Sequence, residues 1–140
     1  MAFRGTYEHT LDDRGRVALP ARYRQEFLQG VVLTIGTEGC IEVYTTAGFE
    51  EMSGEFASEP ATSLRGRRSR RRFQAQSFDT ELDRQGRILV PARFRQMTGL
   101  NGAVTIIGRH ECLEIWDPQA WEAESAAAMS TPSSADQELG

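Results

Sequence analysis

Residues 11–25 read LDDRGRVALPARYRQ, and residues 82–96 read LDRQGRILVPARFRQ. At an offset of 71, nine of the fifteen positions are identical: Leu11/Leu82, Asp12/Asp83, Gly15/Gly86, Arg16/Arg87, Pro20/Pro91, Ala21/Ala92, Arg22/Arg93, Arg24/Arg95 and Gln25/Gln96. One inserted residue later the offset is 72, and CIEVY (40–44) meets CLEIW (112–116), then Phe49-Glu50 meets Trp121-Glu122. So long a period marks a duplicated domain, not a solenoid unit. Each copy has about 50 residues, too few to bury a core alone. The copies are therefore expected to pack on each other about a pseudo-two-fold axis, as an intrachain dimer.

Working outward, Gly5–Leu11 and Val17–Leu19 are β-prone and flank Asp12-Asp13-Arg14-Gly15, an Asp-x-x-Gly turn in which glycine supplies positive φ. Pro20 suits the first turn of a helix over about 20–29 that stops at Gly30. VVLTIG (31–36) is a buried strand, joined through Thr37-Glu38-Gly39 to the strand 40–44. A helix over about 46–58 follows, with Phe49, Met52 and Phe56 on one face. The second copy repeats this order. Its last helix opens at Asp117-Pro118 and runs to about Met129. The domains are then 1–58 and 74–129, separated by an Arg-rich linker at 59–73 and followed by an acidic disordered tail at 130–140. The linker has six Arg between 65 and 72 and is compatible with a helix, despite Gly66, or with an extended chain.

The 140 residues are 39% hydrophobic and 26% charged, which fits a globular protein. No run approaches a membrane span, and the first residues hold no apolar segment, so neither a membrane nor secretion is expected. Two cysteines are no disulfide framework, so a reducing cytoplasm is the default. The net charge of −4 argues against nucleic acid only when summed globally. Residues 122–140 hold Glu122, Glu124, Asp136 and Glu138 and no base, leaving sixteen acids against sixteen bases in 1–121. Every base is Arg, a planar donor fork suited to phosphate or guanine.

The doubled turn supports two readings. In one it is a hairpin whose Asp and Arg pair across the turn, a purely structural device. In the other, Arg16 and Arg87 point into a DNA groove while Asp12 and Asp83 orient them, and Arg14 and Arg84 meet phosphate. Arg22, Arg24, Arg93 and Arg95 are expected to form caps or ion pairs between the copies, with Glu42 and Glu114 as partners, while Tyr23 and Phe94 enter the core. Arg65, Arg67, Arg68, Arg70, Arg71 and Arg72 form either a solvated linker or, because such closely spaced like charges repel one another, a segment with an anionic partner: DNA phosphate or acidic side chains of a neighbouring subunit. Cys40 and Cys112 occupy equivalent strand positions and are expected to be buried thiols, because zinc needs about four suitably spaced ligands. His9 and His110 are not equivalent, and no nucleophile elbow or Walker loop is present, so no catalytic residue, metal or cofactor is expected.

Phe3-Arg4-Gly5, the Leu-Asp-x-x-Gly-Arg-x-x-x-Pro-x-Arg blocks at 11–22 and 82–93, and Glu114-Ile115-Trp116 together resemble the MraZ family over about residues 1–125. The resemblance implies a β-rich α+β fold of two AbrB/SpoVT-type swapped-hairpin domains, packed here as an intrachain pseudo-dimer. It implies a closed ring of subunits that binds direct repeats in the promoter of the division and cell-wall gene cluster, typically as a repressor. The family's Asp-x-x-x-Arg signature maps onto Asp12–Arg16 and Asp83–Arg87, and both copies keep Asp, Gly and Arg. The third turn residue differs, Arg14 against Gln85. Such a protein would be cytoplasmic and nucleoid-associated, with no small-molecule substrate. The competing function is an interaction protein whose Arg segment docks an acidic partner. RNA binding is weaker still, because Phe49, Trp116 and Trp121 read as core instead of stacking platforms.

Overall fold

Strand pairing in the computed structural model, which describes residues 2–130, interleaves the two copies. The chain runs through β1 (Thr6–Thr10), β2 (Arg16–Ala18), a 3-10 helix (Ala21–Phe27), β3 (Val31–Ile35), β4 (Ile41–Thr45) and α1 (Thr46–Phe56). It continues with α2 (Leu64–Ala75), β5 (Phe78–Thr80), β6 (Arg87–Leu89), α3 (Ala92–Thr98), β7 (Ala103–Gly108), β8 (Leu113–Trp116) and α4 (Pro118–Ser130). The tail expected at 130–140 lies, from 131 onward, outside the described residues.

Six strands form one antiparallel sheet in the order β1-β7-β8-β4-β3-β5, and β2 pairs with β6 as a separate ribbon. The first copy supplies β1 to the second copy's β7, and the second supplies β5 to the first copy's β3. Exchanging the copies reverses the strand order without changing it. The register behaves the same way. Glu42 faces its own counterpart Glu114 between β4 and β8, and Val17 faces its counterpart Ile88 in the ribbon.

The period of two along each strand divides the core into layers. Val31 and Leu33 of β3, Ile41 and Val43 of β4, and Leu113 and Ile115 of β8 face the ribbon's Val17, Leu19, Ile88 and Val90. Phe27 and Phe94 close this layer from the short helices. Each such side chain contributes roughly 1.5–3 kcal/mol by leaving water. The opposite face carries Val32 and Tyr44 beneath Phe49 of α1 and Phe73 of α2, and Trp116 beside Trp121 of α4. The ribbon and the α1–α2 pair therefore lie on opposite sides of the six-stranded sheet.

The helix over 20–29 is shorter and tighter than its sequence suggests, a 3-10 helix over Ala21–Phe27. Leu28 stays right-handed and its N–H bonds to Gln25 O, a three-residue closure. In the second copy Gly99 takes the left-handed cap at φ +69° and Thr98 Oγ1 donates to Phe94 O at 2.7 Å, so a regular α-helix forms. Helix α1 ends at Phe56, two residues before Ser58, and is opened by Thr45, whose hydroxyl accepts from Gly48 N at 2.9 Å. Asp117 opens α4, with its carboxylate accepting from Ala120 N at 3.1 Å.

Candidate nucleic-acid interface

The two Asp-x-x-Gly-Arg turns are built alike and stand side by side. In the first, Asp12 Oδ1 accepts from the N–H groups of Arg14 (3.0 Å) and Arg16 (2.8 Å), while Oδ2 takes Arg16 Nε at 2.8 Å. In the second, Asp83 Oδ1 accepts from Gln85 N (2.8 Å) and Arg87 N (2.9 Å), and Oδ2 takes Arg87 Nε at 2.8 Å. Gly15 at φ +80° and Gly86 at φ +78° supply the left-handed residue each turn requires. The backbone N–H of Arg16, opposed by desolvation and aided by the Arg16 side chain, holds the Asp12 carboxyl below its ordinary value. Arg87 does the same for Asp83. Both carboxylates are therefore charged at neutral pH and grip one edge of their guanidinium.

The ribbon brings the turns together. Beyond its three paired residues, Leu19 N donates to Gly86 O at 3.0 Å and Val90 N to Gly15 O at 2.8 Å. Alternation buries Val17 and Ile88 and leaves Arg16, Ala18, Arg87 and Leu89 on the solvent face. Arg87 Nη1 also reaches Asp12 Oδ2 at 3.7 Å, tying the second turn to the first. Side-chain exposure is 30% for Arg16 and 28% for Arg87. These arginines are held in place by their Nε, and the terminal nitrogens of Arg16 make no hydrogen bond among the described residues. Arg14 and Arg84 are exposed within the turns.

Arg24 and Arg95 carry a role that their sequence position does not reveal. Arg24 Nε donates to Leu19 O at 2.9 Å, and Arg95 Nε to Val90 O at 3.1 Å. Each lies over the turn glycine of the other copy, Arg24 over Gly86 and Arg95 over Gly15, where a Cβ would collide with the guanidinium. They buttress the turns from behind. The partner expected for them is corrected here: Glu42 and Glu114 pair with Arg109, whose Nη1 lies 2.7 Å from both carboxylates. Self-pairing of β4 and β8 sets two glutamates face to face, and the Arg109 guanidinium between them, with Tyr44 donating to Glu42 and Trp116 to Glu114, relieves the repulsion. Arg22 and Arg93 lie instead over the rings of Tyr23 and Phe94, at 5.0 and 5.4 Å.

The Arg segment is helical. Phe73 of α2 stacks on Phe49 (4.8 Å) and Phe56 (4.4 Å) of α1, and Gly66 lets the Pro60 carbonyl approach. Arg67 Nη1 donates to Ala61 O, and Arg70 Nη2 to the carbonyls of Ala57 and Glu59. Arg65 pairs with Glu59 at 3.1 Å. Arg68, Arg71 and Arg72 are exposed, with no ion pair or hydrogen bond among the described residues. None of the six lies on the ribbon side of the sheet.

Cys40 and Cys112 are buried free thiols. Burial first, then nearby carboxylates, pushes Cys40 well above the usual thiol range, and burial, opposed by Arg109, pushes Cys112 up to about 12. Glu38, Cys40 and Glu114 bring ligand atoms within 4.8 Å of one another. Glu114 is already engaged there by Arg109 and by Trp116 Nε1 at 2.9 Å, and the guanidinium opposes a second cation.

A family model described as "MraZ protein, putative antitoxin-like" matches residues 2–72 and again 73–139. The chain belongs to the MraZ family. The "Transcriptional regulator MraZ" of Micrococcus luteus is 42% identical over 131 residues, covering 91% of this chain and 92% of that protein. Its namesake in Salinispora tropica is 39% identical over 138 residues, 99% of this chain and 96% of the relative. A third, from Moorella thermoacetica, is 40% identical over 120 residues, 86% and 84% of the two chains. MraZ relatives are thus named as regulators of transcription, not as enzymes, and the two tandem matches coincide with the duplication. Among the described residues no helix is long and apolar enough to cross a membrane.

Proposed function

We propose that the chain is a sequence-specific DNA-binding transcriptional regulator, acting as a repressor of the division and cell-wall gene cluster from direct repeats in its own promoter. The observation that carries this reading is the ribbon's solvent face, where two carboxylate-held arginines stand side by side on rigid turns. Arg16 and Arg87 read guanine or clamp phosphate, Asp12 and Asp83 orient them, and Arg14 and Arg84 meet the backbone. If the third turn position touches phosphate, the first turn, with Arg14 where the second has Gln85, contributes more there. The fold is read as two swapped-hairpin AbrB-like units, 1–58 and 74–129, packed as an intrachain pseudo-dimer. The exchange-invariant register at Glu42/Glu114 and Val17/Ile88 supports it.

One ribbon offers few base contacts. A closed ring of identical chains presents it repeatedly, so neighbouring subunits engage successive direct repeats and gain avidity. The protein then works in the cytoplasm, at the nucleoid. Gel retardation with the upstream region of its own gene tests this reading. Selective retardation that weakens steeply with salt is expected. Equal retardation of unrelated duplex, or none, favours the second reading, an interaction protein whose Arg segment docks an acidic partner. That reading rests on Arg68, Arg71 and Arg72 standing exposed away from the ribbon.

A further inference from the structure

The duplicated frame separates residues that serve the shared fold from residues that do not. Two charged features stand apart from the matched segments of the two copies. One is the Arg face of α2. Residues 66, 69, 70 and 73 turn toward α1, leaving Arg65, Arg68, Arg71 and Arg72 outward with Leu64, which is 48% exposed. Arg65 is paired with Glu59, but Arg68, Arg71 and Arg72 have no partner among the described residues and repel one another, which an anionic surface relieves.

The other is a groove of about 1120 Å³ between the 3-10 helix, α1 and the loop at 110–111. Glu26, Glu51, Glu55 and Glu111 line it, and no Arg does among the described residues. Leu28, 68% exposed, also lines it. Glu111 shares Arg109, while Glu26, Glu51 and Glu55 have no ion pair among the described residues. At the repeat offsets the second copy has Met97, Ala123 and Ala127 in their places. The acidity is therefore no requirement of the fold. Along α1 the groove residues 47, 48, 51 and 55 lie roughly two-fifths of a turn from the α2-facing 49, 53 and 56. Groove and Arg face thus point in different directions, and no chain can satisfy both with itself.

We propose that the Arg face of α2 docks into the acidic groove of a second copy of this chain. Arg65, Arg68, Arg71 and Arg72 meet Glu26, Glu51, Glu55 and Glu111, and Leu64 meets Leu28. Such a contact is heterologous, head to tail, and closes a ring when its rotation allows. It rests on the reading of the chain as a closed oligomer and names the surfaces that join neighbours. The Arg face of α2 lies across the sheet from the ribbon, and the groove's lining includes none of Arg14, Arg16, Arg84 and Arg87.

Sedimentation of the full-length chain tests it, using a groove reversal (Glu51→Arg with Glu55→Arg) and a helix reversal (Arg68→Glu with Arg71→Glu). Each variant alone is expected to fall to the mass of a single chain at concentrations where the unaltered protein assembles. Their equimolar mixture is expected to reassemble, because each then offers the other a complementary surface. Circular dichroism shows whether the variants fold. Should a reversal unfold, the milder Glu51→Gln/Glu55→Gln and Arg68→Gln/Arg71→Gln pairs are expected to dissociate at lower salt than the unaltered protein. Full assembly of both reversals, unchanged salt dependence of both Gln pairs, or failure of the folded mixture to reassemble, overturns the proposal while leaving the ring intact. An unaltered protein that stays a single chain at every concentration overturns the ring and this contact together. A helix reversal that assembles normally but no longer retards DNA assigns the Arg face to phosphate and likewise overturns it.

Discussion

Asp12 and Asp83 each spend one carboxylate oxygen on two backbone N–H groups and the other on an Arg Nε. Their folded values lie below the ordinary 3.8, so the stabilisation they supply is complete above that value and is lost as pH falls through the lower folded one. DNA affinity is therefore expected to gain no pH dependence from these carboxylates between pH 5 and 9. Fluorescence anisotropy across that range in the Asp12→Asn variant and the unaltered protein checks this: the variant binds its promoter less selectively at every pH, with a parallel profile. Profiles that converge near pH 5 would contradict it. The turn glycines make a second prediction. Gly86→Ala places a Cβ at φ +78° against Arg24 and should cost about 1–3 kcal/mol in urea unfolding. A loss below a few tenths would show that Arg24 is no buttress. Asp, Gly and Arg at both turns were legible from spacing alone. The buttressing was not, because it runs from each helix to the other copy's turn, and no local pattern encodes a contact across a duplication.

At the scale of elements, the strands were legible because each alternates or is bounded by turn residues, as at Val31–Ile35 and Ile41–Thr45. Helix α2 was not decidable, since its only large apolar anchor is Phe73 and its Gly66 reads as a breaker until the Pro60 carbonyl is seen against it. One ring therefore holds this helix to α1 through Phe49 and Phe56. Phe73→Ala should cost about 3 kcal/mol and raise amide hydrogen exchange across 64–75 while leaving the sheet protected. Unchanged exchange in α2 would show that the carbonyl contacts of Arg67 and Arg70 suffice. Two helices end a few residues short of their sequence signals at 20–29 and 46–58, because backbone closure at Leu28 and Ala57 ends the turn early.

For the whole molecule, interleaved strands make the two copies one cooperative unit. Their central seam pairs Glu42 with Glu114, and Arg109 bridges both from a position where the first copy has Thr37. A cation without a counterpart in the repeat was invisible to a reading built on repeats. Arg109→Leu leaves two carboxylates opposed in a buried seam and should destabilise the fold by about 3 kcal/mol. Adding Glu42→Gln and Glu114→Gln should recover most of it; thermal melts that show no recovery would place the cost elsewhere. DNA contact by the assembled molecule is assigned to the ribbon, on the side of the sheet away from α1 and α2. The measurement that tests it most directly is promoter retardation by Arg16→Ala, Arg87→Ala and the double variant, with folding and assembly confirmed for each. Each single change should weaken selective binding by about 1–3 kcal/mol, and the double should bind promoter and unrelated duplex alike. Normal, selective retardation by a folded, assembled double variant would contradict the account.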